Sequence, residues 1–358
     1  MNAFQRQAAD APIKVVVVDD SLLVRSMLRA ALEAEGDIIV AGDAKEPYEA
    51  RDVIKATNPD VVTLDVEMPG MNGLQFLDKI MTLRPMPVVM VSSLTSEGAE
   101  VTLAALETGA VDFIAKPAGG PRAASFGETV REKVRAASRA TVRRKIAATA
   151  PQASLRQAPA TARRGGPELI AIGASTGGVA ALGSIVERLP RGLPPIVVVV
   201  HMPEKYTGRF ANRLAQQTGH DVAEARDGET LRDGMIRIAP GSHHLEIERR
   251  AGGIAARLHE QPPVSGHRPS VDVCFASVAA QLGNKALGVI LTGMGRDGAE
   301  GMLQMRRKGA ICLGEAASSC VVYGMPRAAN EVGAVNEEHD LEQMPARISQ
   351  LAAGGPRV

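Results

Sequence analysis

A chain of 358 residues is too long for one core, since single cores stop growing near ~250 residues, so two domains and a connector are expected. Its 41 basic against 40 acidic residues, 3% aromatic content and lack of Trp exclude a global basic field or a stacking platform for nucleic acid. Cys274, Cys312 and Cys320 form an odd set without CxxC spacing, which excludes a disulfide framework and a structural zinc site and suits a cytoplasmic location.

Residues 1–12 read as an N-terminal extension with no apolar core for export. From Ile13, the apolar runs Val15–Val18, Ile38–Ala41, Val61–Leu64, Val88–Val91 and Phe113–Ala115 alternate with helix-like stretches. This is the pattern of a parallel α/β sheet. That unit is expected to span 13–130, followed by an Ala/Arg-rich linker over 131–166 with a possible helix near Glu128–Ile146. Arg131, Lys133, Arg135, Arg139, Arg143, Arg144 and Lys145 could attract an acidic partner, but such a charge run more often marks a solvated helix face. Alternation resumes over 167–358 with Leu169–Ile172, Ile196–Val200, Met235–Ala239 and Leu287–Leu291, and ends in a helical Glu337–Ala352, predicting a second α/β unit. The longest apolar runs are strand length, so no membrane insertion is expected.

Loops after the strands of an open parallel sheet gather in one crevice, which brings residues distant in sequence together. In the first unit Asp19, Asp20, Asp65, Ser92 and Lys116 each follow an apolar run. Clustered carboxylates repel unless a cation compensates, and an oxygen-only donor set suits Mg²⁺, with Asp19, Asp20, Asp65 and the Glu67 carbonyl as candidate ligands. Asp65 can then attack a phosphoryl group, which Lys116 meets as a point charge and Ser92 by a hydrogen bond. The turn Met68-Pro69-Gly70-Met71-Asn72-Gly73 supplies a sharp loop beside it. Singly, each residue could be a helix cap or solvated loop acid; in register they resemble a response-regulator receiver domain. That resemblance implies a flavodoxin-like five-stranded parallel fold.

The second unit carries Gly173-Ala174-Ser175-Thr176-Gly177-Gly178 between an apolar run and an amphipathic stretch, the strand-turn-helix setting in which Gly-x-Ser-x-Gly exposes a nucleophile. His201 follows the next strand as candidate base, and Asp297, in Thr292-Gly293-Met294-Gly295-Arg296-Asp297-Gly298, can orient the imidazole. Backbone N–H groups at Thr176 and Met294 are candidates for an oxyanion hole. A dinucleotide fingerprint would want Gly where Ser175 stands and an acid about 20 residues later, and neither is present. Adjacent His243 and His244 would face opposite sides of a strand and chelate one metal poorly, whereas His267 has no such obstacle to lining the site.

Together the receiver motifs, the basic connector and the Ser, His and Asp motifs resemble the chemotaxis response-regulator protein-glutamate methylesterases, over nearly the whole chain from Ile13. The resemblance implies a C-terminal doubly wound α/β methylesterase domain with a mostly parallel sheet, needing no cofactor for the esterase. It implies hydrolysis of glutamate methyl esters on chemoreceptors with release of methanol, and deamidation of receptor glutamines. A chemotaxis histidine kinase would phosphorylate Asp65 and relieve an inhibitory docking of the receiver. The rivals are a non-enzymatic phosphosignalling adaptor, disfavoured by retention of all three candidate catalytic side chains, and a DNA-binding regulator. The latter is disfavoured because residues 167–358 do not read as a compact helix-turn-helix, so no nucleic-acid partner is expected.

Overall fold

The computed structural model describes residues 11–68, 71–93, 95–116, 122–142 and 165–356. The chain divides into two compact units, Met1–Ile146 and Ala147–Val358. No helix among the described residues is long and apolar enough to cross a membrane.

The first unit alternates strands and helices in chain order: β1 (Ile13–Val18), α1 (Leu22–Glu33), β2 (Ile38–Ala44), α2 (Pro47–Thr57), β3 (Val61–Asp65), α3 (Gly73–Leu83), β4 (Val88–Ser92), α4 (Ser96–Thr108), β5 (Asp112–Ala115) and α5 (Arg122–Ser138). The strands form one parallel sheet in the order β2-β1-β3-β4-β5. Val15–Val18, Val61, Val62 and Val88–Val91 are buried, as expected for strands covered by helices on both faces. Ser21, Asn72 and Thr95 cap α1, α3 and α4 by accepting from the main chain of the first turn, and these caps fix where the chain leaves the sheet edge.

The possible helix near Glu128–Ile146 differs from the sequence reading. Its described part belongs to α5, which packs on α1 within the first unit. Arg131 and Arg135 pair with Glu35, Arg135 also with Asp37 at 2.7 Å, and Lys133 with Asp112 at 2.6 Å. The basic run from Arg131 to Arg135 therefore closes on acids of its own unit rather than forming a solvated connector. Arg143, Arg144 and Lys145 lie outside the described residues.

The second unit comprises β6 (Leu169–Ala174), α6 (Gly178–Arg188), β7 (Ile196–Val200), α7 (Glu204–Thr218), β8 (Asp221–Glu224), β9 (Thr230–Leu231), β10 (Met235–Ile238), β11 (His244–Arg250), β12 (Gly253–His259), α8 (Val271–Leu282), β13 (Ala286–Ile290), α9 (Ala299–Arg307), β14 (Ile311–Glu315), α10 (Met325–Glu331), β15 (Glu337–His339) and α11 (Met344–Ala352). Its main sheet has the order β15-β14-β13-β6-β7-β10-β8, with parallel pairings throughout. A small antiparallel sheet, β11-β12-β9, lies apart from it in the pairing. Its β11 alternates buried Leu245 and Ile247 with more exposed Glu246 and Glu248, a period-2 signal that sequence reading passed over.

The terminal stretch Glu337–Ala352 is not helical throughout. Glu337–His339 adds an edge strand beside β14, and the helix starts only at Met344, with Pro345 in its first turn where a missing N–H costs nothing. Strands β13, β6 and β7 are contiguous at the centre of the sheet, so the three loops after them share one crevice.

Candidate active site and phosphorylation site

β6 delivers Ser175 to the sheet edge, and the chain turns at once into α6 through Gly177, whose φ is +78°. A Cβ at Gly177 would come within 2.7 Å of the Val321 Cβ, so backbone conformation and space both require glycine there. His201 follows β7; its Nδ1 lies 3.1 Å from Ser175 Oγ and its Nε2 2.8 Å from Asp297 Oδ2. All three sequence-predicted residues therefore meet in one hydrogen-bonded relay. For the ring to accept the serine proton at Nδ1, its own N–H must sit at Nε2 and donate to Asp297, which is the reverse of the ring orientation in the chymotrypsin-type triad.

Asp297 is almost fully buried and anchored from several sides. Ser270 Oγ donates to Oδ1 at 2.8 Å, Asp272 N–H to Oδ1 at 2.9 Å and Val271 N–H to Oδ2 at 2.8 Å. These donors are the cap residue and first turn of α8, so the carboxylate sits against a helix N-terminus. Burial alone would raise its pKa, but the His201 ring and the main-chain donors outweigh that and bring it to about 2.

Three residues around the relay had no assigned role in the sequence. Ser270 was legible as an N-cap before the run from Val271, although its hold on Asp297 was not. His244, fully buried, accepts from Ser270 N–H at Nδ1 over 3.2 Å and contacts the Pro262 carbonyl through Nε2 at 3.2 Å, so it braces both ends of the loop before α8. Thr292 accepts the Ser175 N–H on its carbonyl at 3.0 Å and donates its hydroxyl to the Thr176 carbonyl at 3.0 Å. His267 does line the site: its ring stacks on His201 with centroids 3.7 Å apart and planes 6° from parallel.

Because the Ser175 N–H is occupied by Thr292, a developing oxyanion needs other donors. Thr176 lies in the turn between β6 and α6, and Met294 in the loop after β13. Gly293 packs directly on the nucleophile, since a Cβ there would stand 2.9 Å from Ser175 Cβ.

In the first unit, one carboxylate oxygen from each of Asp19, Asp20 and Asp65 lies within 4.8 Å of the others. Lys116 Nζ lies 2.9 Å from both Asp19 Oδ2 and Asp65 Oδ1. Asp65 is raised to about 6, because burial and the neighbouring Asp19 charge push it up more than Lys116 pulls it down. Glu67 directs its carboxylate to Ser93 Oγ at 3.2 Å. Ser92 stands at the end of β4 as expected, but its hydroxyl donates to the Gly98 and Ser93 carbonyls and makes no hydrogen bond to Asp65. Within the turn after Asp65, Pro69 and Gly70 lie outside the described residues.

Comparison with known proteins decides the family. A model described as CheB methylesterase matches residues 170–348, and one described as response regulator receiver domain matches 15–123. The protein-glutamate methylesterase/protein-glutamine glutaminase 1 of Caulobacter vibrioides is 53% identical over 346 residues, covering 96% of this chain and 99% of its own. The chain belongs to the CheB methylesterase family. The Escherichia coli relative of the same function name is 47% identical over 345 residues, 96% of this chain and 98% of its own. The crystal structure of the Thermotoga maritima CheB methylesterase catalytic domain is 35% identical, covering 52% of this chain and 99% of that one with a TM-score of 0.51. This CheB-family chain is thus a hydrolase-family α/β unit joined to a receiver domain.

Receiver domains commonly use a divalent cation, and the residues here fit one. The donors are all oxygens, they converge, and the buried Asp65 is held partly toward its neutral form by desolvation and the neighbouring Asp19.

Proposed function

We propose that the protein hydrolyses glutamate methyl esters on chemoreceptors with release of methanol, deamidates receptor glutamines by the same route, and is activated by phosphorylation of Asp65. The observation that carries this reading is the Ser175–His201–Asp297 relay in the loops after three adjacent strands, in a chain 53% identical to a protein of that named activity.

Ser175 Oγ attacks the ester carbonyl while His201 Nδ1 takes its proton. Asp297 holds the Nε2–H and stabilises the imidazolium, and the N–H groups of Thr176 and Met294 receive the tetrahedral oxyanion. Collapse breaks the bond to the alkoxy oxygen, which takes the proton from Nδ1 and leaves as methanol. Water then attacks the acyl-serine, giving its proton to Nδ1; the second collapse returns that proton to Ser175 and frees the glutamate carboxylate. An amide follows the same steps with ammonia as leaving group.

In the receiver, Asp65 is the phosphoryl acceptor and a chemotaxis histidine kinase the donor. Asp19, Asp20, Asp65 and the Glu67 main-chain carbonyl would hold Mg²⁺, which when bound neutralises the carboxylates and the phosphoryl oxygens. Lys116, already beside Asp65, pairs with the transferred group, and Ser92 reaches it by turning its hydroxyl from the Gly98 carbonyl.

The test is Ser175→Ala in the full chain. Methanol release from methylated receptor membranes should vanish while phosphate incorporation at Asp65 stays at the wild-type level. Release near wild type would remove Ser175 from the mechanism.

A further inference from the structure

Glu315 ends β14 as a fully buried carboxyl, and among the described residues no lysine or arginine pairs with it. A charge buried without a counter-ion is costly, and desolvation pushes this group above the usual carboxylate range despite its hydrogen bonds. Such perturbed carboxyls concentrate at functional sites.

Its bonds lead to the nucleophile. Oε2 accepts the Thr292 N–H at 2.8 Å, and Oε1 accepts from Ser319 Oγ at 3.0 Å, which itself accepts the Leu341 N–H at 2.9 Å. β14 ends at Glu315, and the next N–H, of Ala316, turns away to the His339 carbonyl. A side-chain oxygen thus takes the Thr292 N–H at the edge of the sheet.

Thr292 in turn holds the Ser175 N–H on its carbonyl and the Thr176 carbonyl on its hydroxyl, and it accepts the Val322 N–H at 2.9 Å. The residue after it, Gly293, touches Ser175, and Met294 follows. A shift of Thr292 would therefore move the nucleophile and both candidate oxyanion peptides together.

We propose that Glu315 is a positioning residue for the esterase reaction, fixing Thr292 and through it Ser175 and the oxyanion donors without touching substrate. This rests on the esterase reading given above. Removing the acceptor should lower kcat, since misplacement on the order of 1 Å costs about 10²-fold, and should leave KM little changed.

The experiment compares full-length wild type with Glu315→Ala, Glu315→Met and Glu315→Gln. It measures kcat and KM for methanol release from methylated receptor membranes, the rate of Ser175 modification by a fluorophosphonate, and thermal unfolding. Alanine and the similarly sized methionine, whose thioether is only a weak acceptor, should each lose about 10²-fold in kcat and in the labelling rate, with KM within about twofold. Glutamine keeps an oxygen for the Thr292 N–H and should stay within about fivefold of wild type. The proposal is overturned if a folded alanine or methionine variant labels and turns over like wild type. It is also overturned if glutamine, with an unchanged melting temperature, falls as far as they do. A wild type that releases no methanol would refute the esterase reading instead, and the fluorophosphonate rates would still decide the role of Glu315.

Discussion

Replacing Asp297 with asparagine removes the charge at the far end of the relay while nearly preserving shape. Each carboxylate oxygen accepts two bonds, Oδ1 from Ser270 Oγ and Asp272 N–H, Oδ2 from His201 Nε2 and Val271 N–H. If the new amide NH₂ replaces Oδ1, it faces the Asp272 N–H. If it replaces Oδ2, it faces the Val271 N–H and obliges His201 to accept at Nε2, leaving the proton on Nδ1, where it cannot take one from Ser175. In either orientation a buried N–H loses its acceptor, at about 1–3 kcal/mol of stability. Both orientations also remove the negative charge that stabilises the imidazolium. In Ser-His-Asp hydrolases that loss is worth about 10⁴ in kcat, or roughly 5 kcal/mol of barrier. Methanol release from methylated receptors should thus fall about 10³- to 10⁴-fold. Ser270→Ala removes one donor and keeps the charge, and should lose only about tenfold. An Asp297→Asn protein that unfolds cooperatively and keeps kcat within about tenfold of wild type would refute the assigned role.

Gly293→Ala should lower kcat by about 10²-fold while the protein still folds, because its Cβ would meet Met325 Sδ and stand 2.9 Å from Ser175 Cβ; parallel kinetics and thermal melts check this. The free thiols Cys274, Cys312 and Cys320 are buried, with Cys274 and Cys312 pushed up to about 12 and Cys320 also raised. The native protein should resist a thiol reagent at mildly alkaline pH and react fully only in denaturant, and prompt labelling of the folded form would contradict the packing. Asp297 has its folded pKa depressed from 3.8 to about 2, so its stabilisation is present above pH 3.8 and lost as pH falls toward 2. The part of the stability gap between wild type and Asp297→Asn that comes from this shift, about 2 kcal/mol, should disappear across that window in denaturant titrations, leaving the cost of the unpaired N–H.

The residues legible in the sequence share one property: each closes a strand-length apolar run or lies in the loop after it, so the strand-end rule places it. That holds for Asp19, Asp65, Ser92 and Lys116 in one sheet and for Ser175, His201 and Asp297 in the other. What stayed hidden depends on partners far along the chain. Arg131 reads as a solvated charge until Glu35, 96 residues earlier, is seen beside it. The hold of Ser270 on Asp297 is a tertiary contact, and the burial of Glu315 depends on β14 lying between β13 and β15. The short edge strand Glu337–His339 has no apolar run to announce it, because pairing with β14 rather than burial makes it a strand. The direction of the His201 ring is likewise a matter of tertiary geometry that spacing does not encode.

The proposed function joins a phosphate switch to a serine esterase in one chain. Its most direct measurement is methanol release from methylated chemoreceptor membranes by wild type, Ser175→Ala and Asp65→Asn, each with and without a small phosphodonor and Mg²⁺. Release should require Ser175, rise with the phosphodonor in wild type, and remain at its basal rate in Asp65→Asn whether or not the donor is present. Full stimulation of Asp65→Asn, or equal release by Ser175→Ala and wild type, would contradict the account.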